Sequence, residues 1–317
     1  MSAVAYGSLN RRAAFASIAV ALLLLAMKGW AVWSTGSTAM LGSLADTALD
    51  LVASLATLAG VWIAARPADA DHRFGHGKAE ALAAMFQVVL ISISAVGLAA
   101  RAVQQWLGGG RTAEAQDGIL VSGIAIAATL ALLAYQRRVI AQTGSLAIST
   151  DKLHYQSDLA LNLAVIAALA LDQYGGIAGA DPLFALGIAV WLAWGAWRAS
   201  QAAIEQLMDR EWPDDKRTRF VELAARHSEL SNLHDLRTRS SGYRDFVQFH
   251  VDLPAGMSVG AAHRIVERVE VDLASHFPDM ELLIHIDPEG HVDEPDNPLV
   301  EENEFDKLPE PEQEDGA

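Results

Sequence analysis

Apolar residues fill six long blocks in the first two thirds of the chain, at roughly 13–33, 40–65, 79–106, 117–136, 146–171 and 181–207. Each is long enough for a helix that crosses a bilayer, which takes ~20 residues. The pattern therefore predicts a membrane α-helical domain of six transmembrane helices. From Trp212 it changes. Pro213 and Asp214 read as a helix stop and restart, and RTRFVELAARHSEL then has the spacing of a soluble amphipathic helix. LHDLRTRSS and YRDFVQFHVDL alternate as strands that meet near Ser241-Gly242. MSVGAAHRIVERVEVDLASHF predicts a second helix and MELLIHIDP a third strand. An α-β-β-α-β order predicts a small α/β open-faced sandwich. We divide the chain accordingly into a membrane domain over 1–211, an α/β domain over 212–290 and a tail over 291–317.

The loops between the apolar blocks differ in charge. Arg11 and Arg12 precede the first block, and Arg66, Arg73 and Lys78 separate the second from the third. Arg137, Arg138 and Lys152 lie around the junction of the fourth and fifth, and Arg210, Lys216 and Arg217 follow the sixth. The alternate loops hold Arg111 as their one base. The positive-inside rule then places both termini, and the α/β domain, in the cytoplasm. Lys28 and Arg101 fall near outer helix ends, from which such side chains snorkel. The first apolar block is long and lacks a small-residue cleavage pattern, so no cleavable signal is expected.

Composition alters this picture in two places. The formal net charge is -16 beside a mean hydropathy of +0.21. From Glu289 onward twelve acids face one base, Lys307, so this end alone carries -11. The acidity thus says little about the folded part. A tail so acidic and poor in apolar residues is predicted to be disordered. The absence of cysteine excludes disulfides and thiolate sites, leaving His, Asp and Glu as metal ligands.

Ionisable residues inside the apolar blocks are the candidate chemistry. Asp46 and Asp50 sit i, i+4 in MLGSLADTALDLVASLATLAGVWIAA, on one face of a helix. A carboxylate at membrane depth costs roughly 2.5–3.5 kcal/mol, so two together demand a cation or protons between them. His154 and Asp158 repeat the spacing in the fifth block. Three carboxylates and an imidazole suit Zn²⁺, Cd²⁺, Fe²⁺, Co²⁺ or Mn²⁺. Leu153, beside a ligand, is a candidate hydrophobic gate, although an apolar residue in such a place is more often plain packing. In the second loop, Asp69, His72 and His76 lie within eight residues, with Asp71 a rival ligand. On spacing alone, a solvated loop accounts for them as well as a metal does. In the α/β domain, His234, His250 and His285 fall on separate strands, with Asp287 near the last and His263 on a helix.

The motifs LADTALDL, DHRFGHGKAEALAA, HYQSDLALN, HDLRTR, FHVDL and IHIDP together resemble the cation diffusion facilitators, and closely their bacterial zinc/iron efflux branch. The likeness runs from about residue 10 to Pro288. It implies a homodimeric, proton-coupled exporter of divalent metal with a metallochaperone-like cytoplasmic domain, in the bacterial inner membrane. Membrane lipids and divalent ions, not nucleic acid, are its implied partners. It assigns the transport site to Asp46, Asp50, His154 and Asp158, and a loop site to Asp69, His72 and His76. It places a binuclear zinc site at the dimer interface, built from His234, His250, His263, His285 and Asp287. Ile286 departs from the family, because that position is often a polar bridging ligand. Lys78 and Asp209 match a pair that interlocks the two membrane halves of the dimer, although either also reads as a solvated surface charge.

Metal binding requires a neutral imidazole, and His titrates near neutral pH. This makes His154 the expected proton carrier of a metal-out, proton-in antiporter with zinc preferred and cadmium and ferrous iron next. Two rivals bind metal without moving it, namely a membrane metal sensor and an intramembrane metalloenzyme. The second lacks an open coordination position and a separate general base.

Overall fold

Helices outlast the apolar blocks that predict them. The computed structural model describes residues 3–35, 38–107, 119–175, 180–277, 279–290 and 303–308. The first six helices are α1 (Ala3–Thr35), α2 (Thr38–Ala64), α3 (Ala79–Leu107), α4 (Ile119–Thr143), α5 (Leu146–Gly175) and α6 (Ala180–Leu207). The expected fourth block ends at 136, but α4 carries Arg137 and Arg138 onward until Gly144. That glycine adopts φ 64° and donates its N–H to Ile140 O at 2.8 Å, a left-handed cap that stops the helix. Stretches of α1, α2, α3, α4 and α6 are long and apolar enough to cross a membrane. Helix α5, 30 residues long, carries the polar cluster described below.

The chain forms two compact units, the first spanning Val4–Leu207 and the second beginning at Met208. The membrane unit packs through small side chains. A Cβ on Gly60 of α2 would lie 2.4 Å from Ala83 Cβ and 3.2 Å from Ala79 O of α3, so only glycine permits that approach. Leu22, Leu23, Val89, Ile93, Val96 and Val190 are exposed, as lipid-facing side chains must be. Trp30, Trp33 and Trp106 lie towards the C-terminal ends of α1 and α3, where a belt at one membrane face is expected.

The second unit contains α7 (Asp214–Ala224), β1 (Ser231–Ser241), β2 (Arg244–Leu253), α8 (Val259–His276) and β3 (Met280–Pro288). The three-stranded sheet has order β1-β2-β3. β1 and β2 are antiparallel, and β2 and β3 are parallel across the α8 connection. Gly242, at φ 64°, opens the two-residue turn between the paired Ser241 and Arg244. Phe220 of α7 and Leu273 of α8 pack with Leu233, Val247, Phe249 and Val251 on one face of the sheet. Strand alternation sends the residues between them to the other face.

The expectation of a disordered tail does not hold for residues 303–308. Glu304–Lys307 forms one 3-10 turn, capped by Asn303 Oδ1, which accepts from Phe305 N at 3.2 Å. Phe305 and Leu308 pack on the core, and Glu304 Oε1 accepts from Arg217 Nη2 at 2.6 Å. Two apolar anchors and one half-buried ion pair thus offset the acidity around them. Phe305→Ala is expected to destabilise the α/β unit by roughly 1–3 kcal/mol, below the cost of a fully buried Phe. Thermal unfolding of the full chain checks this, and an unchanged transition would show that tail docking contributes nothing.

Candidate metal centres

In α2 the i, i+4 spacing places Asp46 and Asp50 on one helix face, and α5 does the same for His154 and Asp158. Three of the four converge. His154 Nε2 lies 2.6 Å from Asp50 Oδ1 and 4.0 Å from Asp158 Oδ2. Ligand atoms of Asp50, His154 and Asp158 all lie within 4.8 Å of one another. Asp50 and His154 are buried, and Asp158 is partly open. The 2.6 Å separation of Nε2 and Oδ1 fits one proton held between them, on the lone pairs that a cation would use. The arrangement can therefore hold a proton or a divalent metal at the same atoms, but not both.

Asp46 is not in that group. Its Oδ2 lies 3.8 Å from Arg101 Nη1 of α3, and its carboxylate is more than half exposed. A shared helix face brings Asp46 near Asp50 in sequence terms, yet an oppositely charged side chain from a third helix holds its head group elsewhere.

The loop residues come together. Asp69 Oδ1 is 3.3 Å from His72 Nδ1, and Oδ2 is 3.4 Å from His76 Nε2. The two imidazole centroids are 4.5 Å apart. Backbone N–H groups of His72 (2.7 Å) and Asp71 (3.0 Å) donate to Asp69 Oδ1, and the His72 bond chiefly holds the Asp69 pKa below the usual carboxylate value. Asp71 supplies this backbone contact, while its side chain is outside the ligand group. Gly75, at φ 81°, allows the loop to fold back.

The sheet forms a histidine row. His234 pairs with His250, and His250 with His285, so one rung crosses all three strands. Since Leu233, Val251 and Ile284 face the core, the three imidazoles and Asp287 share the opposite face. Asp287 Oδ2 lies 2.9 Å from His250 Nδ1 and 3.6 Å from His234 Nε2, and Oδ1 lies 3.5 Å from His285 Nε2. His234, His250 and Asp287 form a compact three-ligand group. Their one-acid, two-imidazole chemistry fits a first-row divalent ion such as zinc. The same alternation turns Ile286 away from the ligands. His263 stands exposed on α8, the crossover helix rather than the sheet, and is outside the group.

Leu153 sits on α5 beside His154 and presses into the space over Gly195 of α6, where a Cβ would meet Leu153 Cδ2 at 2.8 Å. Lys78 Nζ donates to Leu207 O at 3.1 Å, and Asp209 Oδ1 accepts from Arg239 Nη1 at 3.4 Å, each within its own unit.

Two buried carboxylates escape the sequence reading. Asp151, fully buried three residues before His154, accepts from Ser17 Oγ (2.6 Å) and Gln136 Nε2 (2.8 Å) through Oδ2. Its Oδ1 accepts from Gln87 Nε2 (3.2 Å), Ser54 Oγ (3.4 Å) and Thr57 Oγ1 (3.4 Å). One carboxylate thus ties α5 to α1, α2, α3 and α4. Glu80 of α3 accepts from Tyr6 Oη, Asn10 Nδ2 and Ser145 Oγ at 3.1, 3.2 and 2.5 Å. The available signal was the polar residues that interrupt each apolar block.

A multi-pass helical domain with a buried cluster of ionisable residues, followed by an α/β domain whose His and Asp side chains could hold a metal, fits a class of membrane cation carrier. Comparison with known proteins agrees. The model of the cation efflux transmembrane domain matches residues 14–208, and that of the cation efflux protein cytoplasmic domain matches 212–289. The chain belongs to the cation efflux family, and the resemblance to the cation diffusion facilitators holds. It is 44% identical over 283 residues to the cation-efflux pump FieF of Cronobacter sakazakii, covering 89% of this chain and 94% of that one. The Escherichia fergusonii cation-efflux pump FieF is 41% identical with the same coverage. Among solved structures, the metal-bound C-terminal domain of the CzcD transporter from Thermotoga maritima is 25% identical, covering 25% of this chain and 93% of that one, with a TM-score of 0.24.

Proposed function

We propose that this cation-efflux transporter is a homodimeric antiporter of the bacterial inner membrane that moves divalent metal out and protons in, with zinc preferred and cadmium and ferrous iron next. One observation carries the reading. The Asp50–His154–Asp158 group lies on two long helices, where a hydrocarbon surrounding tolerates those charges only with a cation or proton between them. His154 is the proton carrier, because its Nε2 contact with Asp50 must open when metal binds. Helix α5 crosses the membrane as the sixth span, since 30 residues of helix reach ~45 Å against a hydrocarbon core of ~30 Å. Both termini are cytoplasmic, in keeping with the base-rich loops.

The remaining sites take supporting roles. Leu153 closes the transport site against α6. Asp69, His72 and His76 hold a modulatory metal away from the transport path. His234, His250 and Asp287, with His285 and His263 at hand, hold resident zinc at the dimer interface. Such an ion ties the strands together and adds stability by mass action. Lys78 and Asp209 interlock the membrane halves of the dimer.

The test is a proteoliposome loaded with a pH-sensitive dye. External zinc is expected to move protons across the membrane in the opposite sense to metal. Zinc binding without proton movement would favour a sensor, and no metal-dependent flux of any kind would overturn the reading.

A further inference from the structure

The fourth expected ligand of the membrane cluster is engaged elsewhere, by a charge that cannot be removed. Asp46 Oδ2 faces Arg101 Nη1 at 3.8 Å, while Asp50, one turn further along α2, is bonded to His154. A second base addresses the same turn. Lys28 Nζ of α1 donates to Thr47 Oγ1 at 2.7 Å and to Ser43 O at 3.4 Å. Cations from two other helices thus flank the turn of α2 that carries Asp46.

A guanidinium stays protonated at every pH the chain meets, so Arg101 is a permanent charge on a flexible tether. Both Arg101 and Asp46 are more than half exposed, and an exposed ion pair is weak. A dication already held by Asp50, His154 and Asp158 can therefore draw Asp46 away. When that ion leaves, Arg101 restores a partner to Asp46 while His154 restores one to Asp50. No carboxylate of α2 is then left bare.

We infer that Arg101 is an intramolecular counter-ion that competes with the transported cation for Asp46. It holds Asp46 when no metal is bound, yields it on loading and reclaims it on discharge. The inference rests on the transport-site reading above. If Arg101 instead serves a lipid phosphate, Asp46 is indifferent to it.

Zinc binding and zinc uptake by the full chain provide the test, with His72→Ala, His76→Ala, His234→Ala and His250→Ala included so that neither the loop site nor the α/β site reports. Arg101→Gln is expected to tighten zinc binding about two- to five-fold and to slow uptake, as loss of a weak competitor should. Arg101→Lys is expected to stay near the parent. In an Asp46→Asn background, Arg101→Gln is expected to change nothing. An Arg101→Gln protein with parental affinity, or one whose shift persists without the Asp46 carboxylate, would overturn the role of Arg101. Parental zinc binding by Asp50→Asn would instead overturn the transport site, and this inference with it.

Discussion

Asp50→Asn is expected to abolish zinc transport while leaving the fold intact. The amide is isosteric and can still bond His154, so burial and packing of the α2–α5 contact survive. What disappears is the anionic oxygen that a cation would bind. Loss of groups that merely orient a metal ligand weakens affinity roughly 10- to 100-fold, so loss of a ligand is expected to exceed that. Metal uptake by vesicles and thermal unfolding measured on one preparation separate the two effects. Lost uptake with a parental melting temperature supports the assignment, whereas retained uptake removes Asp50 from the path.

Asp151→Ala should be the most destabilising single change in the membrane unit. It removes the shared acceptor of Ser17, Ser54, Thr57, Gln87 and Gln136, all buried, and leaves each with only its second partner, such as Ala13 O for Ser17 and Ala53 O for Thr57. A typical hydrogen bond contributes about 0.5–1.5 kcal/mol to stability, and here five are lost at once. Asp151→Asn should be far milder. Its oxygen can accept as before, and turning over the Gln87 or Gln136 amide, whose Oε1 is buried without a partner, would present an acceptor to the new N–H groups. Unfolding in detergent should rank parent, Asn and Ala in that order. An Ala variant as stable as the parent would show that the Asp151 network does not hold the five helices together.

The contrast between Asp50 and Asp151 shows what a linear reading can see. Asp50 has a sequence neighbour at i−4 and an echo in His154 and Asp158, so periodicity exposes it. The partners of Asp151 are single Ser, Thr and Gln residues in four other helices, and Ser17 lies 134 positions away. No local period links them. The histidine row was legible as three strands each offering one His, but its register was not, because bulges in β1 set which residues face one another. Asp46 illustrates the opposite limit. Helical spacing puts it on the correct face, yet an arginine 55 residues away in α3 decides where its carboxylate rests. In the tail, twelve acids obscured the two apolar side chains that dock it.

Zinc uptake into inverted vesicles across roughly pH 5–8, compared between the parent and His154→Asp, addresses the coupling of proton and metal at one atom most directly. The parent should lose uptake as pH falls, because the proton then holds the lone pair that the metal needs. His154→Asp should keep measurable uptake with that loss moved to lower pH, since a carboxyl group gives up its proton more readily than an imidazolium does. Superimposable profiles would contradict the proton–metal exchange assigned to His154.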